Sequence, residues 1–496
     1  MSEAIKYKIN NAEFEAKFTL STAPTAPDGG DGGVGGKSQG DSTEINFSKS
    51  AIRGMDIEEN FLEPFTNGNI YINNPLDFIE DGKLIRGDGR DKFTVYLKPV
   101  DEGDGTGTDP GEEKSIPLEY SFVISSEFNS ASKTDRLNNF KTYRLLDRNY
   151  FLLSEQIPYG RRFRGKVGCI IRDILAEFGI PTGEWDCGDH EIDIFPEHIL
   201  PPSTFRYSDL IKYLIKINYK WVSTCVETCG GCYVRLFLNW CRRCKSYKYL
   251  PLSDPFLNAK IREGFSVDDL VTKCGVNPNN PVTAPGFTPH NLKYAALAHT
   301  DFSTPMLTYS NTYLNNLLVS TYDSVLGEHV MSQVRIKEVK KGWKVIFVEP
   351  FKYIGGLPQP WVVLNNVKSY RLFRNLGMNF TPDRMRALAE AELTTNMTLL
   401  NLQLAFQTLG NTDRQPGEMV DVSVAREMKE SEGKNPFQRG GGKLKHRSDA
   451  KLLGQWFVTK IRHEFTTAKV DNYTNVIQCI KPHMGPGEPA PSDGLS

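Results

Sequence analysis

Apolar and polar residues alternate along most of the N-terminal third of the chain, with the period of two that is typical of half-buried β-strands. The clearest segments are EFEAKFTL, DKFTVYLKP, EYSFVISSEFNS and FKTYRLLDR. Turn-forming Asn-Gly and Asp-Gly pairs separate several of them. The pattern predicts a first small antiparallel barrel or sandwich over residues 1–150.

The period changes after residue 150. VGCIIRDILAEFGI and SDLIKYLIKIN carry apolar stripes at helical spacing. We expect the first helix to stop at Gly179 and the second to begin with Ser208 as its N-cap. YKWVST and YVRLFLNW then predict strands, so residues 151–255 form an α+β insertion.

The rest of the chain returns to the strand pattern. A second small barrel is predicted from residues 256–290 together with 390–485. We expect residues 291–389 to form an insertion segment, TPDRMRALAEAEL to form a helix, and the Pro/Gly/Ser-rich tail 486–496 to be disordered. The predicted fold class is α+β, mainly β: two small antiparallel β-barrels plus α+β insertions.

Composition narrows the classes of function. The chain has 496 residues, enough for two to four domains, and its 59 basic and 60 acidic residues give a net charge of −1. No global charge therefore favours nucleic acid or a membrane surface. The polar start MSEAIKYKIN has no secretory h-region, and no apolar run approaches the ~20 residues of a membrane span. We expect residence in a cytoplasm, where thiols stay reduced.

Catalytic chemistry has no candidate in the sequence. The motifs of zinc proteases, serine hydrolases, P-loop NTPases and dinucleotide-binding domains do not occur. The Asp/Gly-rich loops 23–42 and 101–114, and the loop with Cys187, Asp189 and His190, are interpreted as solvated loops rather than metal sites. The protein is predicted not to be an enzyme.

Five cysteines stand within twenty residues in CVETCGGCYVRLFLNWCRRC. Two C-x-x-C pairs predict zinc as the one candidate cofactor, with Cys229, Cys232, Cys241 and Cys244 as its ligands. If YVRLFLNW is one straight strand, however, Cys232 and Cys241 on either side of it lie roughly 30 Å apart, and one ion cannot join both pairs. Disulfides, with Cys225 paired to Cys232, are the equal alternative, and free thiols are the third. The cluster is interpreted as a structural staple of one of these kinds.

The order of elements is the most specific pattern in the chain. It is carried by NGNIYINNPLDF (67–78), YGRRFRGKVGCIIRDILAEFGI (159–180), RYSDLIKYLIKINYKWV (206–222), LGNTDRQPGEMVDV (409–422) and QWFVTKIRHEFTTAKVDNYTNVIQCI (455–480). This order resembles the baseplate hub protein of contractile-tailed bacteriophages, which is related to the hub part of type VI secretion spike proteins. The resemblance covers most of the chain, but the Gly/Asp loops, the cysteine cluster and the tail depart from the family.

The resemblance implies a late structural protein of the virion, assembled in the host cytoplasm into the tail baseplate. Hubs of this family are homotrimers in which each subunit supplies two similar barrels, so that six barrels adapt the sixfold tail tube to the threefold central spike. Residues 151–255 and 291–389 would then form the cup that holds the spike. The implied partners are a second and third copy of the chain, the spike, the tail tube or a tube-initiator ring, baseplate wedge proteins and the tape measure. The hub would line part of the DNA channel without reading a nucleic-acid sequence.

Two other classes of function are weighed against the hub. A zinc-dependent β protein with a site of four cysteines could bind nucleic acid, and it predicts stoichiometric zinc and steep salt dependence. A cell-wall hydrolase attached to a tail predicts a pair of catalytic carboxylates in a cleft.

Overall fold

The structure is a computed structural model that describes the strands and helices of the chain together with some of their connections. The described residues are 5–9, 12–22, 43–48, 50–73, 91–100, 116–129, 140–185, 193–222, 232–251, 261–266, 296–303, 316–323, 328–335, 367–372, 384, 387–392, 402–423, 425–429, 444–448, 454–467 and 472–481.

The N-terminal third forms a first set of strands, namely β1 (Ile5–Ile9), β2 (Ala12–Thr22), β3 (Thr43–Asn46), β4 (Ile52–Asn60), β5 (Asn67–Asn73), β6 (Lys92–Pro99), β7 (Leu118–Asn129) and β8 (Phe140–Asp147). They pair antiparallel in the order β1-β2-β6-β7-β8-β5-β4, and β3 pairs with β2 beside β1. Alternate residues face inward, as Phe93, Val95 and Leu97 do in β6. This inward face forms a large apolar core.

An α+β domain follows, built from α1 (Arg148–Glu155), β9 (Phe163–Lys166), α2 (Val167–Glu177), β10 (Thr182–Trp185), β11 (Asp193–Ile199), α3 (Tyr207–Ile217), β12 (Tyr219–Val222), β13 (Cys232–Cys241) and β14 (Ser246–Pro251). Four of its strands pair in the order β10-β14-β13-β12. The helices bury Ile174, Leu210 and Leu214 against this sheet in a second core. Residues 387–392 are helical, and Ala387 and Ala391 pack into the same core.

The two helix boundaries can be compared with their predictions. Gly179 follows the C-cap of α2 with φ +67°, and Ile180 N–H donates to the carbonyl of Leu175 (2.9 Å), as expected for a glycine stop. The N-cap prediction for α3 is wrong. The helix begins at Tyr207 with Arg206 as its N-cap, because Asp209 one turn on accepts a hydrogen bond from Arg206 N–H (3.3 Å). Ser208 instead lies inside the helix, where its hydroxyl contacts the hydroxyl of Ser154 (2.9 Å).

The remaining strands are β15 (Ile261–Ser266), β16 (Ala296–Ser303), β17 (Asn316–Asp323), β18 (Glu328–Arg335), β19 (Val367–Leu372), β20 (Leu402–Leu409), β21 (Met419–Ser423), β22 (Ala425–Lys429), β23 (Leu444–Ser448), β24 (Gly454–Thr466) and β25 (Asn472–Lys481). Six of them form a second set in the order β16-β20-β25-β24-β21-β15, antiparallel except for β15 with β21. β17, β18 and β19 form a three-stranded sheet, and β22 and β23 pair with each other.

One long strand joins the two sets. Near its start, β24 pairs with β21, and from Lys460 to Thr466 it pairs with β4 of the first set. Its other edge pairs with β25. Fourteen strands therefore belong to one continuous sheet. This mainly β architecture with antiparallel sheets and a small α+β domain confirms the predicted fold class.

The C-terminal hairpin of β24 and β25 also completes the first core. Phe465 packs against Phe18, with ring centroids 6.1 Å apart, and Tyr473 packs edge-on against Phe14 at 5.6 Å. Both side chains are fully buried in the core of the first set. Residues from the two ends of the chain thus share one apolar core. No helix among the described residues is long and apolar enough to cross a membrane.

Candidate functional site

The β13–β14 hairpin carries a buried charged side chain, Arg242, just beyond the end of its ladder. Cys241 pairs with Ser246 as the last pair of the ladder, and residues 242–245, here named the hairpin tip, connect the two strands. Lys245 N–H donates to the carbonyl of Arg242 (3.3 Å), and Lys245 has a φ of +50°. This tight reversal directs Arg242 out of the α+β domain and between the two sets of strands.

Arg242 is almost completely buried there and contacts both strand sets. Its Nη1 donates to the carbonyl of Thr412 (2.6 Å), and its Nη2 donates to the carbonyl of Arg414. Its Nε lies 2.5 Å from Glu59 Oε1 in β4. One guanidinium therefore links the α+β domain, the first set and the turn between β20 and β21. We name this cluster the polar junction; its members are Glu59, Tyr120, Arg242, Arg414, His463, Tyr473 and Asn475.

Glu59 is the anion of the polar junction. Burial alone would raise the pKa of its carboxyl, but the Arg242 guanidinium, with smaller contributions from His463 and Tyr120, outweighs burial and lowers the pKa to about 2. The Tyr120 hydroxyl donates to Glu59 Oε1 (2.5 Å). Burial, reinforced by the charge of Glu59, raises the pKa of Tyr120, so the phenol remains a hydrogen-bond donor. Glu59 is thus ionised inside the protein at any pH near neutrality.

His463 connects Glu59 to the second set. The Asn475 Oδ1 accepts hydrogen bonds from Asn411 N–H (2.7 Å) and from Arg414 Nη1 (2.7 Å), so the Asn475 Nδ2 is the atom that faces His463 Nδ1 at 2.9 Å. An amide nitrogen only donates, which makes Nδ1 the acceptor and assigns the ring proton to Nε2, 3.7 Å from Glu59 Oε2. Burial lowers the pKa of His463, and the neighbouring arginines lower it further against the opposing effect of Glu59. The imidazole is neutral near pH 7.

Aromatic side chains surround the polar junction. Phe61, which follows β4, packs edge-on against Phe457 of β24, with ring centroids 5.1 Å apart, and in a tilted arrangement against Phe237 of β13 at 5.5 Å. Trp240 of β13 packs against the cores of both the first set and the α+β domain. Strand β13 therefore contacts three apolar clusters, and the hairpin tip that follows it places Arg242 in the polar junction. The apolar surroundings exclude water, which strengthens the ion pair and raises the cost of leaving either partner unpaired.

A cleft of about 620 Å³ lies beside the hairpin tip, lined among others by Glu119, Asp147, Arg148, Phe178, Trp240 and Arg243. Burial raises the pKa of Asp147 to about 6, against the effect of its backbone hydrogen bonds. A carboxyl with a raised pKa in a cleft is a feature of general acids. Here, however, Asp147 Oδ1 accepts the N–H groups of Asn149 (2.7 Å) and Tyr150 (3.2 Å) as the N-cap of α1. Glu119 pairs with Lys245 (3.1 Å) at the surface. These contacts give both carboxylates structural roles.

The predicted metal ligands are only partly described. Cys232 and Cys241 are the first and last residues of β13, which places them about 30 Å apart at 3.3 Å per residue. Cys241 is half-buried and Cys244 is exposed. Cys225, Cys229 and the side chain of Cys232 lie outside the described residues, as do Cys187, Asp189 and His190. Within the described ranges, no three His, Cys, Asp or Glu residues lie together as a metal centre requires. The zinc and disulfide assignments stay predictions.

The polar junction was not predicted from the sequence, although the strands contain a signal for it. In β4, Met55 and Ile57 face inward, and Glu59 occupies the next inward position. In β24, His463 lies between the buried Ile461 and Phe465 in the same alternation. A charged or polar residue on the apolar face of a predicted strand indicates a buried polar partner. Nothing in the sequence indicates that Arg242, in a polar turn, is that partner.

No protein-family model and no curated relative matches the sequence. Solved structures do match. The chain is similar to the tail protein from Neisseria meningitidis MC58, with 9% identity and a TM-score of 0.45 over 94% of this chain and 96% of that chain. It is similar to the 43 kDa tail protein of prophage MuSo2 from Shewanella oneidensis, with 10% identity and a TM-score of 0.44 over 94% and 98%. It is also similar to a chain of the Francisella PdpA–VgrG complex, with 9% identity and a TM-score of 0.43 over 96% of this chain and 54% of that chain.

Proposed function

We propose that the chain is a structural hub of a contractile-tail baseplate, a homotrimer that adapts a sixfold tail tube to a threefold central spike. The observation that carries this proposal is the construction of two strand sets within one sheet, joined by β24. Three such chains present six strand sets around an axis. A shared strand keeps the two sets of one chain at a fixed spacing, and a ring with matching surfaces requires that spacing.

The polar junction supports the same role. Arg242 ties the α+β domain to the carbonyl groups of Thr412 and Arg414 and to Glu59. Because hydrogen bonds are directional, these contacts fix the angle between the α+β domain and the strand sets more strictly than apolar packing does. A fixed angle is what we expect if the α+β domain forms part of a cup around the spike while the strand sets contact the tail tube.

The remaining parts of the proposal follow from this role. The partners are two further copies of the chain, the central spike, the tail tube or its initiator ring, wedge proteins and the tape measure. The location is the virion baseplate after assembly in the host cytoplasm, and the hub lines part of the DNA channel. The role is structural and requires no catalytic group. Nothing in the described part of the chain favours the zinc-dependent nucleic-acid alternative, which is not proposed.

Native mass spectrometry of the purified chain, at subunit concentrations from about 1 to 50 μM, tests the oligomeric state. We expect a trimer, and electron-microscopy class averages down its axis should show six lobes around an open centre. A chain that stays monomeric or dimeric across this range would contradict a hub that forms by itself, and a three-lobed trimer would contradict the use of two strand sets per chain.

A further inference from the structure

Cys241, the last residue of β13, and Cys244, within the hairpin tip, lie on the same tight turn. Cys244 N–H donates to Cys241 Sγ (3.2 Å), so the sulfur of the first cysteine lies against the backbone of the second. The two thiols are therefore near neighbours, and the turn that carries them is the turn that places Arg242 in the polar junction.

The two thiols differ in access. Cys244 is exposed, whereas Cys241 is half-buried behind it. A small molecule can thus reach Cys244, and Cys241 can reach Cys244 from within the turn. The other cysteines whose side chains are described are Cys169 in α2, which is half-buried, and Cys479 in β25, which is buried. Neither adjoins the hairpin tip in sequence, which makes them suitable controls.

We propose that Cys241 and Cys244 are a redox-active pair that closes to a disulfide and thereby fixes the hairpin tip with Arg242 in place. The oxidant is a small disulfide such as glutathione disulfide. The Cys244 thiolate attacks one of its sulfurs, forms a mixed disulfide and releases one glutathione thiolate. The Cys241 thiolate then attacks the Cys244 sulfur, forms the internal bond and releases the second glutathione thiolate. The two protons lost by the cysteines are taken up by the released thiolates, so two cysteine thiols are oxidised and one small disulfide is reduced.

A disulfide needs only the two groups that the turn supplies. A structural zinc ion needs four ligands, and no third candidate ligand adjoins this pair among the described residues. A cross-link here also restricts the unfolded chain to conformations in which the turn is already closed. The dithiol would persist in reducing surroundings and close to the disulfide in oxidising surroundings. This inference is independent of the proposed hub function.

The test uses the full-length protein equilibrated in glutathione buffers from fully reducing to strongly oxidising, then quenched with acid, alkylated and mapped by mass spectrometry. Because Arg242 and Arg243 separate the two cysteines, trypsin cuts between them, and only a disulfide keeps the two peptides together. We expect the joined pair, two hydrogens lighter than its reduced parts, to increase with the oxidising ratio. The melting temperature of the oxidised wild type should exceed that of the reduced form by about 2 °C.

Matched variants separate this pair from the other thiols. The exposed change Cys244→Ser should abolish both the joined peptides and the shift in melting temperature, whereas Cys169→Ser should keep both. A persistent glutathione adduct on Cys244 would overturn the proposal. So would linkage of either cysteine to Cys225, Cys229 or Cys232, or one tightly held zinc per chain, measured by elemental analysis, that protects both thiols from alkylation.

Discussion

Two buried carboxyl groups of the first strand set, Glu59 at the end of β4 and Asp147 at the end of β8, have opposite pKa shifts. Burial raises the pKa of Asp147 to about 6, and only backbone N–H groups oppose it. Burial acts on Glu59 in the same direction, yet its pKa falls to about 2 because Arg242 lies against it. Both residues are almost fully buried, so the extent of burial does not explain why their pKa values shift in opposite directions.

The difference shows what holds the three segments together. The Asp147 carboxyl accepts backbone N–H groups from the first turn of the helix that it caps and from Thr66, and no distant charge is needed to hold it. The Glu59 charge is stable only while the hairpin tip of another domain remains in place. Removing one partner of a buried pair leaves an uncompensated charge, which costs far more than the intact pair contributes. The polar junction therefore penalises any rearrangement of the α+β domain against the strand sets.

The largest expected effect comes from Arg242→Ala. We expect a loss of about 3–5 kcal/mol in the free energy of unfolding at pH 7, because Glu59 is left buried without its cation. In the wild type the lowered pKa of Glu59 gives a stabilisation that is present above its ordinary pKa of 4.5 and is lost as the pH falls towards 2. In the variant this carboxyl should behave like Asp147, with a raised pKa and a stability that decreases as the pH rises.

Urea unfolding followed by tryptophan fluorescence at several pH values measures both effects. The double variant Glu59→Gln with Arg242→Ala is the matched control, and it should recover part of the loss because no charge remains unpaired. If the single and double variants were equally unstable, the loss would come from the carbonyl contacts of Arg242 and not from Glu59.

A smaller effect is expected from Asp147→Asn. The folded-state pKa of Asp147 is raised from 3.8 to about 6, so its contribution to stability is fully present below pH 3.8 and is lost as the pH rises through 6. The shift corresponds to about 3 kcal/mol. Asparagine keeps an oxygen for the cap but does not titrate, so the unfolding free energy of the variant should lack this decrease as the pH rises from 3.8 through 6. Identical pH profiles for the two proteins would show that the fold does not raise the pKa of Asp147.

The smallest effect is expected from Arg161→Ala. Arg161 donates through both Nη atoms to the carboxylate of Glu177, a bidentate pair like those that fix geometry in protein interiors. Both side chains are, however, about two-fifths exposed, so water screens the charges. We expect a loss of about 0.5 kcal/mol, several-fold below that of Arg242→Ala. Urea unfolding of the two variants side by side measures the ratio. A cost as large as that of Arg242→Ala would mean that burial is not the cause of the contrast.

Much of the fold could be predicted from local patterns. Alternation in EFEAKFTL and DKFTVYLKP corresponds to β2 and β6, and apolar stripes correspond to α2 and α3. These predictions succeed because the residues of a single strand or helix determine which of its faces is apolar. The prediction of Ser208 as the N-cap was wrong because Asp209 accepts a hydrogen bond from Arg206 N–H. That contact makes Arg206, two residues before Ser208, the N-cap of the helix.

The candidate site was less predictable. Glu59 and His463 occupy inward positions of their strands, which indicates buried polar contacts but not their partners. Arg242 lies in a turn whose sequence, CRRC, suggests a metal ligand pair or a solvated basic loop. Its role depends on contacts with Thr412 and Arg414, which are far away in the chain and in a segment with no charge pattern of its own.

By itself, the sequence determined the strands, the helices and the mainly β class, because these depend on periodicity within short segments. The tertiary structure alone decided that β24 pairs with β4, that Phe465 and Tyr473 complete the core of the N-terminal strands, and that one arginine joins three segments. Such long-range pairings depend on the shape and charge of surfaces that exist only after the local elements have formed. For that reason the cysteine-rich hairpin shows its main structural role, the placement of Arg242, only in the folded chain.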